Sequence, residues 1–277
     1  EIDIEVISIR QWTAGNALVA DRYGEGRVLL AGDAVHLFTP TGGFGMNTGV
    51  EDAVNLGWKI AAVHHGWAPD TLLDTYEGER RPIGIRNTQS SRKLASDVAT
   101  IQVPAALEEE TAEGQKARAD LGRHLSGFTE EFASLGIQLG ARYDASPLIA
   151  NDGTEPPPDS PVEYVPTACP GGRAPHQWLN DGASIHDRFG KWFTLVKFGS
   201  ASTDTAAFAA AAEALDVPLD IVDVAEKAAR DLYACTFALI RPDHHVAWRG
   251  DSLPADAEAL MRQVSGNLLS EKRHRAV

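Results

Sequence analysis

Cysteine is scarce in this chain of 277 residues, and its placement excludes the usual cysteine chemistry. Cys169 and Cys235 stand far apart, giving neither a CxxC redox pair nor a metal-ligand cluster. They read as two buried or idle thiols in a reducing cytoplasm. The adjacent pairs His64-His65 and His244-His245 lack the i, i+4 spacing of a helical metal site, so no metal is expected. No run approaches the roughly 18 apolar residues of a membrane span. Basic residues are too few, 25 against 39 acidic for a net charge of -14, and form no stripe that would hold a nucleic-acid backbone. The first ten residues mix Glu1, Asp3, Glu5 and Arg10 with Ile and Val, which is no secretory leader. The GxGxxG of a dinucleotide-binding turn is also missing.

The length allows one large or two ordinary domains, and the 43% hydrophobic content suits a globular core. Ile2 to Ile9 alternates at period two, predicting a strand from the middle of a domain. Gly24-Glu25-Gly26 reads as a turn, and Arg27 to Ala31 as an apolar run of strand length, buried on both faces if it lies in a parallel sheet. A glycine-rich loop, Thr39 to Gly45, leads into a helix expected from about Asn47 to His65. Its apolar face would carry Val50, Val54, Gly57, Trp58 and Ala61, and its small-residue stripe Gly49, Ala53, Gly57 and Ala61 would allow close packing. Pro69-Asp70 opens another helical stretch, and Pro82 reads as a helix start. Residues from Ile83 to Leu135 read as mostly helical, with breaks near Pro104 and Gly127, and Glu108-Glu109-Glu110 as a solvated face.

From Asp144 to Pro175, eight prolines mark an irregular connector that adds little to a core. Beyond it the order changes. Strands at Lys191–Phe198, Pro218–Val224, Thr236–Ile240 and His245–Arg249 alternate with helices at Thr205–Leu215, Ala225–Leu232 and Ala255–Leu269. The order β-α-β-α-β-β-α is the thioredoxin arrangement. The division is therefore 1–143, a connector 144–175, and 176–277.

Gly32-Asp33 follows a predicted strand, where a glycine permits close approach and a carboxylate is presented at the strand end. A carboxylate there can accept hydrogen bonds from a polyol. A few residues on, Gly42-Gly43-Phe44-Gly45-Met46-Asn47 enters a helix, whose free amides and positive end favour developing negative charge. Each piece alone is bland: Gly-Asp is most often a turn, and a glycine loop is weak evidence of a ligand. His176, Trp178 and Trp248 read as core or surface aromatics.

The whole string from Gly26 to Gly49 is more specific. Gly32-Asp33-Ala34-Val35-His36-Leu37-Phe38-Thr39-Pro40-Thr41-Gly42-Gly43-Phe44-Gly45-Met46-Asn47 resembles the third FAD fingerprint of the group A flavoprotein monooxygenases, the p-hydroxybenzoate hydroxylase-like enzymes. Asp52-Ala53, Asn55-Leu56, Trp58-Lys59, Leu73 to Glu77 and Glu79-Arg80-Arg81-Pro82 continue the likeness, over some 55 residues. Arg241-Pro242-Asp243 with Ala247-Trp248-Arg249 resembles the thioredoxin-like domain of the phenol and polyketide hydroxylase subgroup. Val35, where many relatives have Ala, and Thr39, near where they have a second proline, depart from the pattern.

The resemblance implies an α/β fold: a partial FAD-binding domain with a helical extension, then a thioredoxin-like domain whose role is packing or assembly. It implies FAD as cofactor, with Asp33 on the ribityl hydroxyls. Gly32, the partner of Asp33 in the Gly-Asp pair, would belong to the same cofactor site, and Pro40, Gly42, Gly43, Gly45, Met46 and Asn47 would lie beside the isoalloxazine ring and its pyrimidine edge. It also implies NAD(P)H as reductant and a small aromatic substrate, a simple phenol first and an aromatic polyketide second; no catalytic residue is assigned. The contacts for adenine and pyrophosphate would lie outside the chain, so the chain alone should bind FAD poorly. A second copy, or the family's N-terminal half, would be its partner. A non-catalytic scaffold is the competing reading, and a thiol oxidoreductase is opposed by the missing CxxC.

Overall fold

In the computed structural model, residue 3 and residues 5–10, 16–128, 133–199 and 204–269 are described. The elements, in chain order, begin with two small antiparallel pairs. Strand β1 (Leu18–Val19) pairs with β4 (His36–Leu37), and β2 (Gly24–Glu25) with β3 (Val28–Leu29). Helix α1 spans Phe44–His64, α2 Thr75–Ala99, α3 Ala112–Leu125 and α4 Leu135–Leu139. Strand β5 (Phe193–Phe198), α5 (Ala206–Glu213), β6 (Leu219–Val224), α6 (Lys227–Tyr233), β7 (Phe237–Ile240), β8 (Val246–Gly250) and α7 (Ala257–Val264) complete the chain.

The second half follows its predicted order. Its sheet runs β6-β5-β7-β8, with β5 and β6 parallel and the other pairs antiparallel, as the thioredoxin arrangement requires. Alternation decides which face each residue serves. On one face Phe193, Leu195, Phe237, Leu239 and Ala247 pack against α5 and α7. On the other, Val196, Phe198, Ala238, Ile240 and Val246 meet Ala229 and Tyr233 of α6. The central strands are covered on both sides and therefore read as nearly continuous apolar runs.

The first core is not private to that sheet. Trp58 and Ala62 of α1, together with Trp67, Ala68 and Leu72 after it, belong to the same cluster. The Trp58 and Trp67 rings stack at 6.4 Å, and Phe193 meets them edge-on at 6.1 and 6.2 Å. Leu148, also fully buried in this core, comes from the proline-rich stretch. Ile149, Ala168, Cys169 and Ala174 are buried as well. That stretch has little regular structure, yet it contributes core; proline disfavours ladders without preventing apolar burial.

Several expectations are corrected. Arg27–Ala31 is not a strand of a parallel sheet: Val28 and Leu29 form half of an antiparallel hairpin, and Val28 is 65% exposed. Gly24 and Glu25 are the other strand, with the turn at Gly26. Of Ile2 to Ile9, positions 2 and 4 lie outside the described residues, and 3 and 5–9 form no strand. Pro82 sits inside α2 rather than at its start. Its missing N–H leaves the Gly78 carbonyl without the usual i+4 donor. Part of the predicted break near Gly127 falls at 129–132, outside the described residues.

Because α1 and the sheet share one core, Phe193→Ala should cost about 3–5 kcal/mol. Urea unfolding followed by circular dichroism and by tryptophan fluorescence should still give one coincident transition. Two separate transitions would show that the halves fold independently.

Candidate functional site

The glycine-rich entry to α1 is built by local conformation. Thr41–Gly43 forms a 3-10 turn in which Gly42 and Gly43 take φ of +79° and +65°. A side chain at Gly42 would also strike the Phe44 ring, whereas a Cβ at Gly43 would meet open space. Helix α1 then begins with no side chain capping it, leaving the amides of its first turn available. It ends at Gly66, whose φ of +83° closes the helix.

The loop is stapled to α2 through Ser91, which is fully buried. The Ser91 hydroxyl donates to the Thr39 carbonyl at 2.7 Å, and the Thr41 hydroxyl donates to the Ser91 carbonyl at 2.7 Å. Thr39 Oγ1 and Ser91 Oγ are 2.5 Å apart. Asn87, one turn earlier on α2, donates to Thr48 Oγ1 at 3.0 Å.

Gly32–Ala34 is a 3-10 turn rather than the end of a parallel strand. Asp33 is exposed on it, as are Pro40, Gly43, Met46 and Asn47; Gly32, Gly42 and Gly45 are half-buried. The turn and the helix are neighbours: a Cβ added at Gly49 would lie 3.2 Å from the Gly32 Cα. The Asn47 side chain donates back to the Gly43 carbonyl at 3.2 Å. Gly42, Gly43, Phe44, Asn47, Thr48 and Glu51, with Asn87 and α4, line a cleft of about 410 Å³. A second cleft of about 360 Å³ lies under Pro156 to Pro158, where Arg86 and Arg142 are already paired with Asp159 and Asp144.

The side of α1 facing the protein is only partly the expected apolar face: Trp58 is buried on it, with Leu56 and Ala62, but much of the rest is polar. Val50 and Val54 are 56% and 48% exposed, and Ala53 and Gly57 are exposed too. Buried instead are Thr48, Asp52, Asn55 and Lys59. Asp52 is the hub of one cluster: it accepts from the Gly32 amide at 3.1 Å and from Arg80 Nε at 2.8 Å. His36 Nε2 lies 2.7 Å from it, and an ionised carboxylate makes that nitrogen the donor. Burial alone would raise the Asp52 carboxyl, but the His36 hydrogen bond and the Arg80 charge hold it below the usual range. Arg80 further donates to the Thr48 carbonyl at 3.2 Å, to Glu51 at 3.0 Å and to the Tyr143 hydroxyl at 3.1 Å.

A second cluster adjoins it. Three donors converge on Glu79 Oε2, from Asn55, Lys59 and Arg241, and two on Oε1, from Ser146 and Arg241. Arg241 also reaches both oxygens of Asp243, at 3.0 and 2.7 Å. Asp243 accepts from Asn55 at 3.1 Å and from the Trp58 indole at 3.3 Å. Tyr143 links the clusters: its ring stacks on His245 at 4.1 Å and lies 5.1 Å from the Arg241 guanidinium. Burial would raise the Glu79 and Asp243 carboxyls, yet the Arg241 charge, aided by Lys59 and His245 respectively, keeps both well below the carboxylate range. Lys59, fully buried, is pushed down to about 8 by that burial, against the pull of Glu79.

The family model for the FAD binding domain matches residues 1–91, and that for the aromatic-ring hydroxylase C-terminal region matches 167–267. The chain belongs to the FAD-dependent aromatic hydroxylases. It is 36% identical to the FAD-dependent monooxygenase apdD of Emericella nidulans, over 95% of this chain and 44% of apdD. It is 33% identical to a phenol 2-monooxygenase of a Pseudomonas species, over 98% of this chain and 50% of that enzyme. The solved structure of RebC soaked with chromopyrrolic acid, with 7-carboxy-K252c bound, superposes at a TM-score of 0.83 and 40% identity, covering 90% of this chain and 47% of RebC. The chain thus spans about half the length of the curated relatives it matches.

Within this chain the two cysteines are free and buried, and burial pushes the Cys235 thiol up to about 12, which disfavours a reactive thiolate. Trp178 is 66% exposed beside His176, and Trp248 packs against the first core. Among the described residues no three His, Cys, Asp or Glu side chains are grouped to hold a metal, and no helix is long and apolar enough to cross a membrane. Composition did not single out the charged clusters. Their signal was the polar spacing Thr48, Asp52, Asn55, Lys59 along one helix face, with Glu79-Arg80 on the next helix.

Glu79→Gln leaves Lys59 and Arg241 buried with too little negative charge, and should cost about 3–5 kcal/mol at neutral pH. Glu79 is held down in the folded protein, so its contribution is present above the usual carboxylate range and is lost as pH falls through and below it. Urea midpoints measured from pH 7 to 3 should therefore fall more steeply for the parent protein than for Glu79→Gln. Parallel slopes would contradict the assignment.

Proposed function

We propose that this chain is part of a flavin-dependent monooxygenase that hydroxylates a phenolic ring, with FAD seated at the Asp33 turn and the entry to α1. NAD(P)H is the reductant in this reading, and the setting is a reducing cytoplasm, consistent with the two unpaired thiols. The observation that carries it is the contact between an exposed carboxylate turn and an uncapped, glycine-led helix start, Gly32 against Gly49. The residues present suit the group: Gly43 opens onto free space, and Asp33 has no partner among the described residues that would compete for it.

In this reading Asp33 accepts hydrogen bonds from the ribityl hydroxyls. The first-turn amides around Gly45, Met46 and Asn47, set by Pro40, Gly42 and Gly43, donate to the pyrimidine edge. They favour the negative charge that builds on the ring when it is reduced. Bound FAD supplies the activation of dioxygen. The cleft beside the loop, walled in part by Phe44, Ile137 and Leu139, would offer the ring an apolar flank. Phenols are the favoured substrate class, supported by the likeness to a phenol 2-monooxygenase. The division into 1–143, 144–175 and 176–277 belongs to the same reading, as do adenine and pyrophosphate contacts made by a partner half, so the chain alone binds FAD weakly.

Asp33→Ala removes charged hydrogen bonds worth about 1.5–3 kcal/mol each. In the full-length protein it should weaken FAD binding by roughly ten- to a hundredfold. Titration of the apoprotein with FAD, followed by flavin fluorescence, reads this directly. Unchanged affinity would reject the seat.

A further inference from the structure

The charged residues of the thioredoxin-like half do not end at its boundary. Arg241 and Asp243 lie in the turn between β7 and β8, and the side chains of both are buried. Their partners are Glu79 on α2 and Asn55 and Trp58 on α1, so a turn of the sheet grips the helix whose first turn enters the glycine loop. The Asp52 cluster repeats the connection closer to the loop. Arg80, next to Glu79, holds Asp52 and the Thr48 carbonyl, and Asp52 holds the Gly32 amide. Tyr143 bridges the two, with Arg80 on its hydroxyl and Arg241 and His245 on its ring.

We infer that Arg241 and Asp243 are positioning residues for the flavin seat, fixing through Glu79, Asn55 and the Arg80–Asp52 pair the spacing between the Gly32–Asp33 turn and the start of α1. This inference rests on the proposed FAD seat. The physical argument is rigidity. Arg241 presents a planar fork to two carboxylates at once, a geometry that lysine cannot reproduce. Asp52 and Glu79 are likewise locked by several donors each, so displacement at one end strains the other. The carboxylates and guanidinium groups of this buried network are each met by several partners, although Asn55 Oδ1, His36 Nδ1 and His245 Nε2 are left without one, and charges paired in this way have few alternative arrangements. The thioredoxin-like half, which carries no redox pair, thereby acquires a part in the cofactor site without touching it.

The test uses the full-length protein. Arg241→Lys and Asp243→Asn keep volume but break the fork, and Leu260→Ala, in the core beneath the same sheet, serves as a control for lost stability alone. FAD affinity, the visible circular dichroism of the bound flavin and the urea midpoint are measured for each. The two network variants should weaken FAD about tenfold and alter the flavin dichroism. Leu260→Ala should lower the urea midpoint while leaving both flavin readouts unchanged. If Arg241→Lys does not fold, Trp58→Phe, which removes the indole donor to Asp243 and also trims the shared core, should shift the flavin readouts in the same direction and by more than Leu260→Ala does. Flavin readouts that follow the urea midpoint alike in all variants would overturn the inference. So would Asp243→Asn with parental affinity and dichroism. Asp33→Ala separates the two ideas: if it too binds FAD like the parent, the seat itself is wrong, whereas if it alone weakens FAD, only the positioning role fails.

Discussion

The fork between Arg241 and Glu79 sets the terms for the rest of the molecule. Two buried charges this far from water are tolerable only because each is met by several partners, and those partners come from α1, α2, the proline-rich stretch and the β7–β8 turn. Removing a charge from water costs several kcal/mol, so the network is stable only when complete. Segments distant in sequence are thereby required to meet at one place. The apolar core that Trp58, Trp67 and Phe193 share with the sheet gives the same junction its bulk of stabilisation, while the charges give it direction.

The glycine-led entry to α1 is legible for a different reason. Positive φ at Gly42 and Gly43 is a local requirement, and the sequence supplies glycine where the backbone needs it. The thioredoxin arrangement was equally legible, because its central strands are buried on both faces and read as apolar runs, set off by a helix-length, alanine-rich segment. In both cases neighbours in sequence carry the information.

What sequence reasoning misjudged depends on partners far along the chain. Val50 and Val54 looked like the buried face of α1, and periodicity alone could not tell that Asp52, Asn55 and Lys59 were buried instead, since Arg80 pairs with Asp52, Glu79 with Lys59, and Glu79 and Asp243 accept from Asn55. Pro82 looked like a helix start because its cost inside a helix is local, while the packing of α2 that outweighs it is not. Arg27–Ala31 had the composition of a central strand, but its pairing partner is the neighbouring hairpin strand. The candidate flavin residues stood in one motif, whereas the residues that hold the motif in place are dispersed over nearly two hundred positions.

The shared core has a consequence for how such proteins can be recombined. A C-terminal half taken from one relative cannot simply be grafted onto another, because one wall of its core is made by Trp58, Trp67 and Leu72 of the preceding half. A chimaera would preserve the interface only if its crossover point lay upstream of α1, or if the Glu79–Arg241 and Asn55–Asp243 pairs were transplanted together. The boundary that is natural for exchange is therefore set by contacts, and it does not coincide with the change in sequence composition at the proline-rich stretch.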